Sequence, residues 1–178
     1  NEDDLHAIVQ SGVEFTLFED QALPKHLTMP VYPSSKEYAA FGGMIGNDCA
    51  GKKTLRYGKM HDFVNWTEMV LHDGSIARFE RLSRADTKAK MAGTGAEADI
   101  YRKLIPLIEK HYDLIEAHHP PVSKNSSGYG LWRVWDRATD TFDLSQLITG
   151  SQGTLGIITR SRVRVIHDKP HRTLISVF

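Results

Sequence analysis

The run Asp62-Phe63-Val64-Asn65-Trp66-Thr67-Glu68-Met69-Val70-Leu71-His72, then Asp73-Gly74, then Ser75-Ile76-Ala77-Arg78-Phe79, decides the fold class. Its first part is rich in β-branched and aromatic residues, with Val64, Trp66 and Val70 assigned to one face and Phe63, Met69 and Leu71 to the other. Asp-Gly is the favoured two-residue hairpin turn, so the segment predicts two antiparallel strands. A second strand pattern closes the chain over Ile157–Ile166. There Ile157, Val163 and Val165 are expected to face one way and Arg160, Arg162 and Arg164 the other.

Helical patterns surround these strands. Val9–Phe18 reads as a strand end, a Ser-Gly turn and a short helix stopped by Pro24. Ser34-x-x-Glu37 has the form of a capping box opening a helix that contains Gly42, Gly43 and Gly46. Arg81–Ala96 is polar and reads as a loop. Ala98–His118 is amphipathic, with Ile100, Leu104, Leu107, Ile108 and Ile115 on one broad face and a kink or division at Pro106. Asp143–Ile148 reads as a short helix and Gly150–Gly156 as a glycine turn. Strands and helices joined by a hairpin predict an α+β fold, an antiparallel-strand sheet with flanking helices.

The chain has 178 residues, 40% hydrophobic and 25% charged, which is the range of a folded domain with one core. Its 22 Lys and Arg balance 22 Asp and Glu, so it lacks the cationic surplus that a nucleic-acid footprint needs. The single Cys49 excludes an internal disulfide framework and a Cys-rich zinc site, and beside Asp48 it reads as an inert packed thiol. No apolar run has the length of a membrane span, and the acidic Asn-Glu-Asp-Asp opening is unlike a signal peptide, so a cytoplasmic protein is expected. With no initiator methionine at Asn1, the stretch reads as part of a longer protein.

Two glycine clusters stand out. Each helical glycine costs about 1 kcal/mol relative to alanine, so Phe41-Gly42-Gly43-Met44-Ile45-Gly46-Asn47 needs a reason. Close approach of a phosphate and tight packing on a sheet both supply one. Gly150-Ser151-Gln152-Gly153-Thr154-Leu155-Gly156 is by itself a turn, but the two clusters could converge on one extended anion. Other signals are weaker. Gly93-Thr94-Gly95-Ala96-Glu97-Ala98 fits a dinucleotide fingerprint but lacks the strand that must precede it. His118-His119 lacks helical zinc-pair spacing and reads as solvated histidines at a helix end. Lys52, Lys53, Arg56 and Lys59 could hold phosphate, whereas alternating arginines on a strand read as its solvent face. Tyr129, Trp132 and Trp135 could stack a ring or pack on their own domain. No Ser-His-Asp arrangement is present.

Pro33-Ser34-Ser35, Gly42-Gly43-Met44-Ile45, Ala50-Gly51, Arg56-Tyr57-Gly58 and Asp62 occur in an order that resembles the FAD-linked oxidases. This is the superfamily of vanillyl-alcohol oxidase, D-lactate dehydrogenase and the glycolate oxidase flavin subunit. Val70-Leu71-His72-Asp73-Gly74-Ser75, Lys124-Asn125-Ser126-Ser127-Gly128-Tyr129 and Gly150–Thr159 continue the likeness, which runs from about residue 31 to the end. The resemblance implies FAD as cofactor, facing Pro33, Ser34, Ser35, Gly42, Gly43, Gly46, Asn47, Tyr57, Gly153 and Ile158. It also implies a vanillyl-alcohol-oxidase-type subdomain and hydride transfer from a small 2-hydroxy acid to the flavin, with an unspecified electron acceptor.

The sequence departs from the family at Ala40, where a Thr is usual, and at Gln152, where an acidic residue is usual. The resemblance divides the chain into residues 1–168, an FAD-binding domain incomplete at its N-terminal side, and residues 169–178, the start of a substrate (cap) domain. It further implies that the piece alone would bind FAD poorly and tend to self-associate. A non-catalytic module keeping the fold, or a nucleotide-binding domain, are the alternatives.

Overall fold

The computed structural model describes residues 1–169 together with His171, Thr173, Ile175 and Ser176. Eight strands form in chain order: β1 (His6–Gln10), β2 (Leu27–Thr28), β3 (Val64–Val70), β4 (Ile76–Ser83), β5 (Trp135–Asp136), β6 (Thr141–Asp143), β7 (Ile157–Arg164) and β8 (Ile166–His167). The α-helices are α1 (Phe15–Ala22), α2 (Phe41–Gly46), α3 (Thr54–Tyr57), α4 (Arg84–Ala92), α5 (Gly95–Lys110), α6 (Tyr112–Ala117) and α7 (Ser145–Ile148). Six strands make one antiparallel sheet in the order β1-β7-β3-β4-β6-β5, and β2 pairs with β8 separately. The mixed helix and antiparallel-sheet architecture is therefore the one expected. Of the expected cap-domain start at 169–178, residues 170, 172, 174, 177 and 178 lie outside the described residues.

The β3–β4 hairpin forms, but its connection differs from the expected two-residue turn. Leu71 N–H donates to Ser75 O and Gly74 N–H to Leu71 O, which encloses His72-Asp73-Gly74 as a three-residue loop. Gly74 takes the left-handed conformation (φ 83°) that this loop class requires at its last position. Asp73 Oδ1 accepts from both the N–H and the hydroxyl of Ser75, which stiffens the turn.

The two-face alternation assigned to β3 is interrupted. Register shifts against β7 fall between Val64 and Trp66 and between Glu68 and Met69, so Val64, Trp66, Thr67 and Met69 are all buried. The first leaves Asn65 as the extra residue on β3 and the second leaves Thr159 as the extra residue on β7, and each breaks the period of two in the strand that carries it. The second also displaces Ile157, which is exposed rather than sharing the buried face of Val163 and Val165.

Two apolar clusters lie against the sheet. One gathers Phe15, Phe18, Phe41, Ile45, Met60, Phe63 and Val163; the other gathers Met69, Phe79, Tyr101, Ile105, Ile108, Phe142 and Leu147. Ile158 packs against both.

Four helical expectations need correction. The Ser34–Glu37 box does not open α2: Ser35 precedes a single 3₁₀ turn, Lys36–Tyr38, without a side-chain cap, and α2 starts afresh after Ala40. Arg81–Ala96 is not a loop, because β4 continues to Ser83 and α4 follows. Ser83 Oγ caps α4 by accepting Asp86 N–H, and Thr87 is the buried residue of that helix, so no apolar stripe advertises it. Pro106 does not divide the helical stretch, since α5 runs on to Lys110 and the break comes at His111. Pro106 lies on the exposed side, opposite the buried Tyr101, Ile105 and Ile108, where water can take up the carbonyl that loses its partner. Leu107 is likewise exposed rather than on the core face.

Gly156 fixes the entry into β7. Its φ is 149°, and a Cβ there would lie 2.7 Å from Val70 O and 2.5 Å from Met69 Cε. Gly156→Ala should lower stability by about 1–3 kcal/mol or more through this overlap with main chain. Gly12→Ala, where a Cβ meets no atom within 4 Å, should stay within about 0.5 kcal/mol of the parent. Urea unfolding of the two variants checks the contrast.

Candidate functional site

The site begins with the packing of α2. Phe41 N–H donates to Val13 O (3.0 Å) and Gly42 N–H to Ser11 O (2.9 Å), fastening the start of the helix to the turn after β1. A Cβ on Gly42 would sit 2.8 Å from Ser11 Cβ, so this glycine is needed for close approach of protein to protein. Gly43 is different. A Cβ there would meet nothing within 4 Å, and its N–H donates to no main-chain carbonyl among the described residues. An N-cap Ser or Thr often accepts the N–H of the third helical residue, which here is Gly43; Ala40 at the N-cap has no oxygen to offer.

The second glycine segment docks on the far end of α2. Gly150 N–H donates to Ile45 O (2.9 Å) and Gln152 N–H to Gly46 O (2.8 Å). A Cβ on Gly46 would lie 3.9 Å from Gly153 N, and one on Gly153 would meet nothing within 4 Å. Gly43 and Gly46, three residues apart, share a helix face, so the open side of Gly43 is the side that Gly153 approaches. The Gly153 N–H also donates to no carbonyl among the described residues. Gln152 Nε2 donates to Asn47 Oδ1 (3.1 Å), a bond that an acidic residue at 152 could not give when ionised. Tyr129, from the 118–130 loop, closes the turn from outside, its hydroxyl 2.7 Å from Thr154 Oγ1.

The remaining residues implied as flavin-facing lie elsewhere. Pro33 is half-buried beside the Tyr32 carbonyl that lies against Gly51, and Ser34 and Ser35 are exposed, with no hydrogen bond to the glycine convergence among the described residues. Tyr57 is half-buried against the first core, with the Arg56 guanidinium 5.4 Å from its ring, and lines a separate cleft with Thr28, Lys53 and Ile166. Ile158 presents its carbonyl to Ser11 Oγ (2.6 Å) and its side chain to the two cores. The structure thus gathers Gly43, Gly46, Asn47 and Gly153, while Pro33, Ser34, Ser35 and Tyr57 make no hydrogen bond to them among the described residues.

Beside the convergence lies a cluster that sequence reasoning missed. Asp48 is almost fully buried. Its carboxylate is 3.1 Å from Lys59 Nζ and 2.8 Å from His61 Nδ1, and it accepts the His61 main-chain N–H at 3.0 Å. Lys59, assigned by sequence to a basic surface set, is itself buried; it also donates to the Asn125 carbonyl and approaches Ser126 Oγ at 3.3 Å. Burial pushes the Asp48 carboxyl upward, but hydrogen bonds and charge from His61, aided by Lys59, outweigh it and hold the group below the usual carboxylate range. The cluster pins the 118–130 loop beside α2. Cys49 next to it is buried, and burial pushes its thiol up to about 12, an unreactive state.

The other sequence signals settle simply. Gly93-Thr94 joins two helices, with no strand before it. His118 and His119 are exposed at the end of α6, and no group of His, Cys, Asp or Glu among the described residues is arranged for a metal ion. Trp135 stacks on Phe142 at 5.5 Å within its own domain. Arg160 pairs with Glu68, and Arg160 and Arg164 are exposed. No described helix is long and apolar enough to cross a membrane.

Residues 1–80 match the family described as FAD binding domain, which carries the likeness back to the first residue. The chain is 31% identical over 144 residues to D-2-hydroxyglutarate dehydrogenase of Pantoea ananatis, covering 81% of this chain and 14% of that protein. It is 27% identical to D-lactate dehydrogenase of Archaeoglobus fulgidus, covering 96% of this chain and 27% of the relative. It is 29% identical to glycolate oxidase subunit GlcD of Bacillus subtilis, over the whole of this chain and 27% of the relative. The chain therefore spans only a minor part of the length of each.

Asp48→Asn should destabilise the protein by roughly 3–5 kcal/mol at neutral pH, because Lys59 and Arg133 would keep buried charge without their counterion. Because the folded-state pKa of Asp48 is depressed, its contribution is present above the unfolded value of about 3.9 and lost as pH falls through the folded value. The urea midpoints of parent and variant should therefore differ at pH 7 and converge in acid.

Proposed function

We propose, for a chain that belongs to the FAD-linked oxidase superfamily, that it forms the flavin-holding part of an oxidoreductase acting on a small 2-hydroxy acid. The single observation that carries this reading is the convergence of two distant glycine segments whose Gly43 and Gly153 N–H groups have no main-chain acceptor among the described residues and whose Cα faces are open. An anionic diphosphate suits such a place: backbone donors unshielded by side chains can approach its oxygens closely. The residues present thus fit the cofactor. Gly43 and Gly153 would supply the donors, and Gly46 would leave room between them.

When bound, FAD supplies the two-electron acceptor, taking hydride at N5 from the α-carbon of the acid. The chain's own contribution is to hold and orient. The two main-chain bonds from Gly150 and Gln152 fix the turn against α2, and Tyr129 with Thr154 covers it from the 118–130 loop. Preorganised donors of this kind need no rearrangement when the ligand arrives.

Support for the acid comes from the relatives, whose names specify D-2-hydroxyglutarate, D-lactate and glycolate. The division into residues 1–168 and a cap-domain start at 169–178, and the vanillyl-alcohol-oxidase type of the fold, are part of the same proposal.

The intact protein should be yellow, with absorbance bands near those of free FAD. Gly43→Val should abolish flavin retention while changing the stability of the flavin-free form by less than about 0.5 kcal/mol, since the open side accepts the side chain without a clash. Wild-type flavin occupancy in Gly43→Val, read from absorbance after gel filtration, would overturn the assignment.

A further inference from the structure

The six-stranded sheet ends at β1, whose edge turned away from β7 carries no strand among the described residues. Which groups point that way follows from two bonds. Val165 N–H donates to Leu5 O and Ser11 N–H to Thr159 O, so the odd-numbered residues of β1 turn their main chain toward β7. The even-numbered ones, His6, Ile8 and Gln10, therefore turn N–H and C=O to the open edge.

Edge strands are guarded by proline, lysine, a bulge or a cover. β1 has none of the first three: it reads His-Ala-Ile-Val-Gln, its register with β7 is regular over all five residues, and Ile8 at its middle is 59% exposed. Beside the edge runs a groove of about 600 Å³, lined on the core side by Ala7, Val9, Val13, Phe18, Leu27 and Val165. All six belong to the first apolar cluster or pack on it, so the groove reaches the flank of the core.

Asn1 shows what approaches this edge. Its nitrogen donates to His6 O (2.8 Å), and His6 N–H donates to Asn1 O (3.2 Å). Two residues that exchange both main-chain bonds form a hydrogen-bonded antiparallel pair. Glu2–Leu5 is then a four-residue hairpin loop, closed by Leu5 in the left-handed region (φ 51°). Asn1 also lines the groove, so chain leading into it runs antiparallel to β1 along the open edge.

We infer that the residues immediately preceding Asn1 in the intact protein form a strand that pairs with the open edge of β1 and closes the groove. The register is fixed. With Asn1 opposite His6, the first to fourth preceding residues lie opposite Ala7, Ile8, Val9 and Gln10. Opposite residues share a face of the sheet. The first and third therefore join Ala7 and Val9 on the core side and are apolar, while the second and fourth share the exposed face of Ile8 and Gln10. The second exchanges main-chain bonds with Ile8. A second copy of the chain fits less well, because Asn1 already occupies the place beside His6. The inference rests on the proposed incompleteness of the FAD-binding domain at its N-terminal side, and not on the flavin chemistry.

The tests use the intact protein. Its sequence ahead of Asn1 should show apolar side chains at the first and third preceding positions, and charged residues at both would overturn the inference. In amide hydrogen exchange, Ile8 N–H should exchange as slowly as Val9 N–H, which the β7 ladder protects. A protected Val9 beside an Ile8 that exchanges at the rate of an unstructured chain would overturn the pairing. For the register, cysteine at the first preceding residue together with Ala7→Cys makes a non-hydrogen-bonded pair, about 4.5 Å between Cα atoms and within disulfide range. Oxidation should crosslink this pair within one molecule, and cysteine moved to the second preceding residue, on the other face, should lose the crosslink. Crosslinking between two molecules, or equal yields at both positions, would overturn the proposed strand. Should Ala7→Cys fail to fold, exchange on the parent decides. Flavin content is read separately by absorbance: a colourless protein with a protected Ile8 amide would overturn the flavin reading alone, and a yellow one with an unprotected Ile8 would overturn this inference alone.

Discussion

Two main-chain hydrogen bonds, from Gly150 to Ile45 and from Gln152 to Gly46, hold the candidate site together. They join the end of a six-residue helix to the turn that follows α7, far along the chain. Because both bonds are main chain to main chain, the geometry depends on how closely two backbones can approach. Close approach of backbones explains the glycine at 42 without a ligand, but not those at 43 and 153. Gly42 serves the approach to Ser11, while Gly43 and Gly153 face open space.

The buried charge cluster beside this junction works by another principle. Asp48 is surrounded by Lys59, His61 and Arg133, three cation-capable groups around one carboxylate. Burying such a set adds little net stability compared with an apolar core of the same volume. What it specifies is position: Lys59 reaches the Asn125 carbonyl and so ties the loop that carries Tyr129 to the cluster.

Legibility in the sequence tracked how local each signal was. The β3–β4 hairpin was readable because strand composition and Asp73-Gly74 are adjacent, although the loop proved one residue longer than the pair suggests. Helix α4 was missed because its inward face amounts to Thr87, so no hydrophobic period exists to detect. Pro106 did not divide its helix because it sits on the exposed side, where water can reach the carbonyl that loses its partner. The convergence of the glycine turns could be raised as a possibility from residue types, and the ordered motifs gave it weight. The Asp48 cluster left no trace, since its members come from separate segments, each ordinary alone. Lys59 and Arg133 look like surface residues until the fold encloses them.

The position of β7 has a consequence for how the protein is made. This strand pairs with β1 on one side and β3 on the other, so it occupies an interior place in the sheet although it follows six of the eight strands in the chain. On the ribosome, β1 and the β3–β4 hairpin emerge first and must wait, with no common partner, for β7 to be synthesised. At about 5–20 residues per second, the interval between the end of β4 and the start of β7 is roughly 4–15 s. During that time the inner edges of β1 and β3, and the apolar residues that later surround Val163, are open to pairing with other chains. Nascent chains of this protein therefore present a natural client for chaperones that shield unpaired strand edges, and late truncations should be far more damaging to solubility than their length suggests.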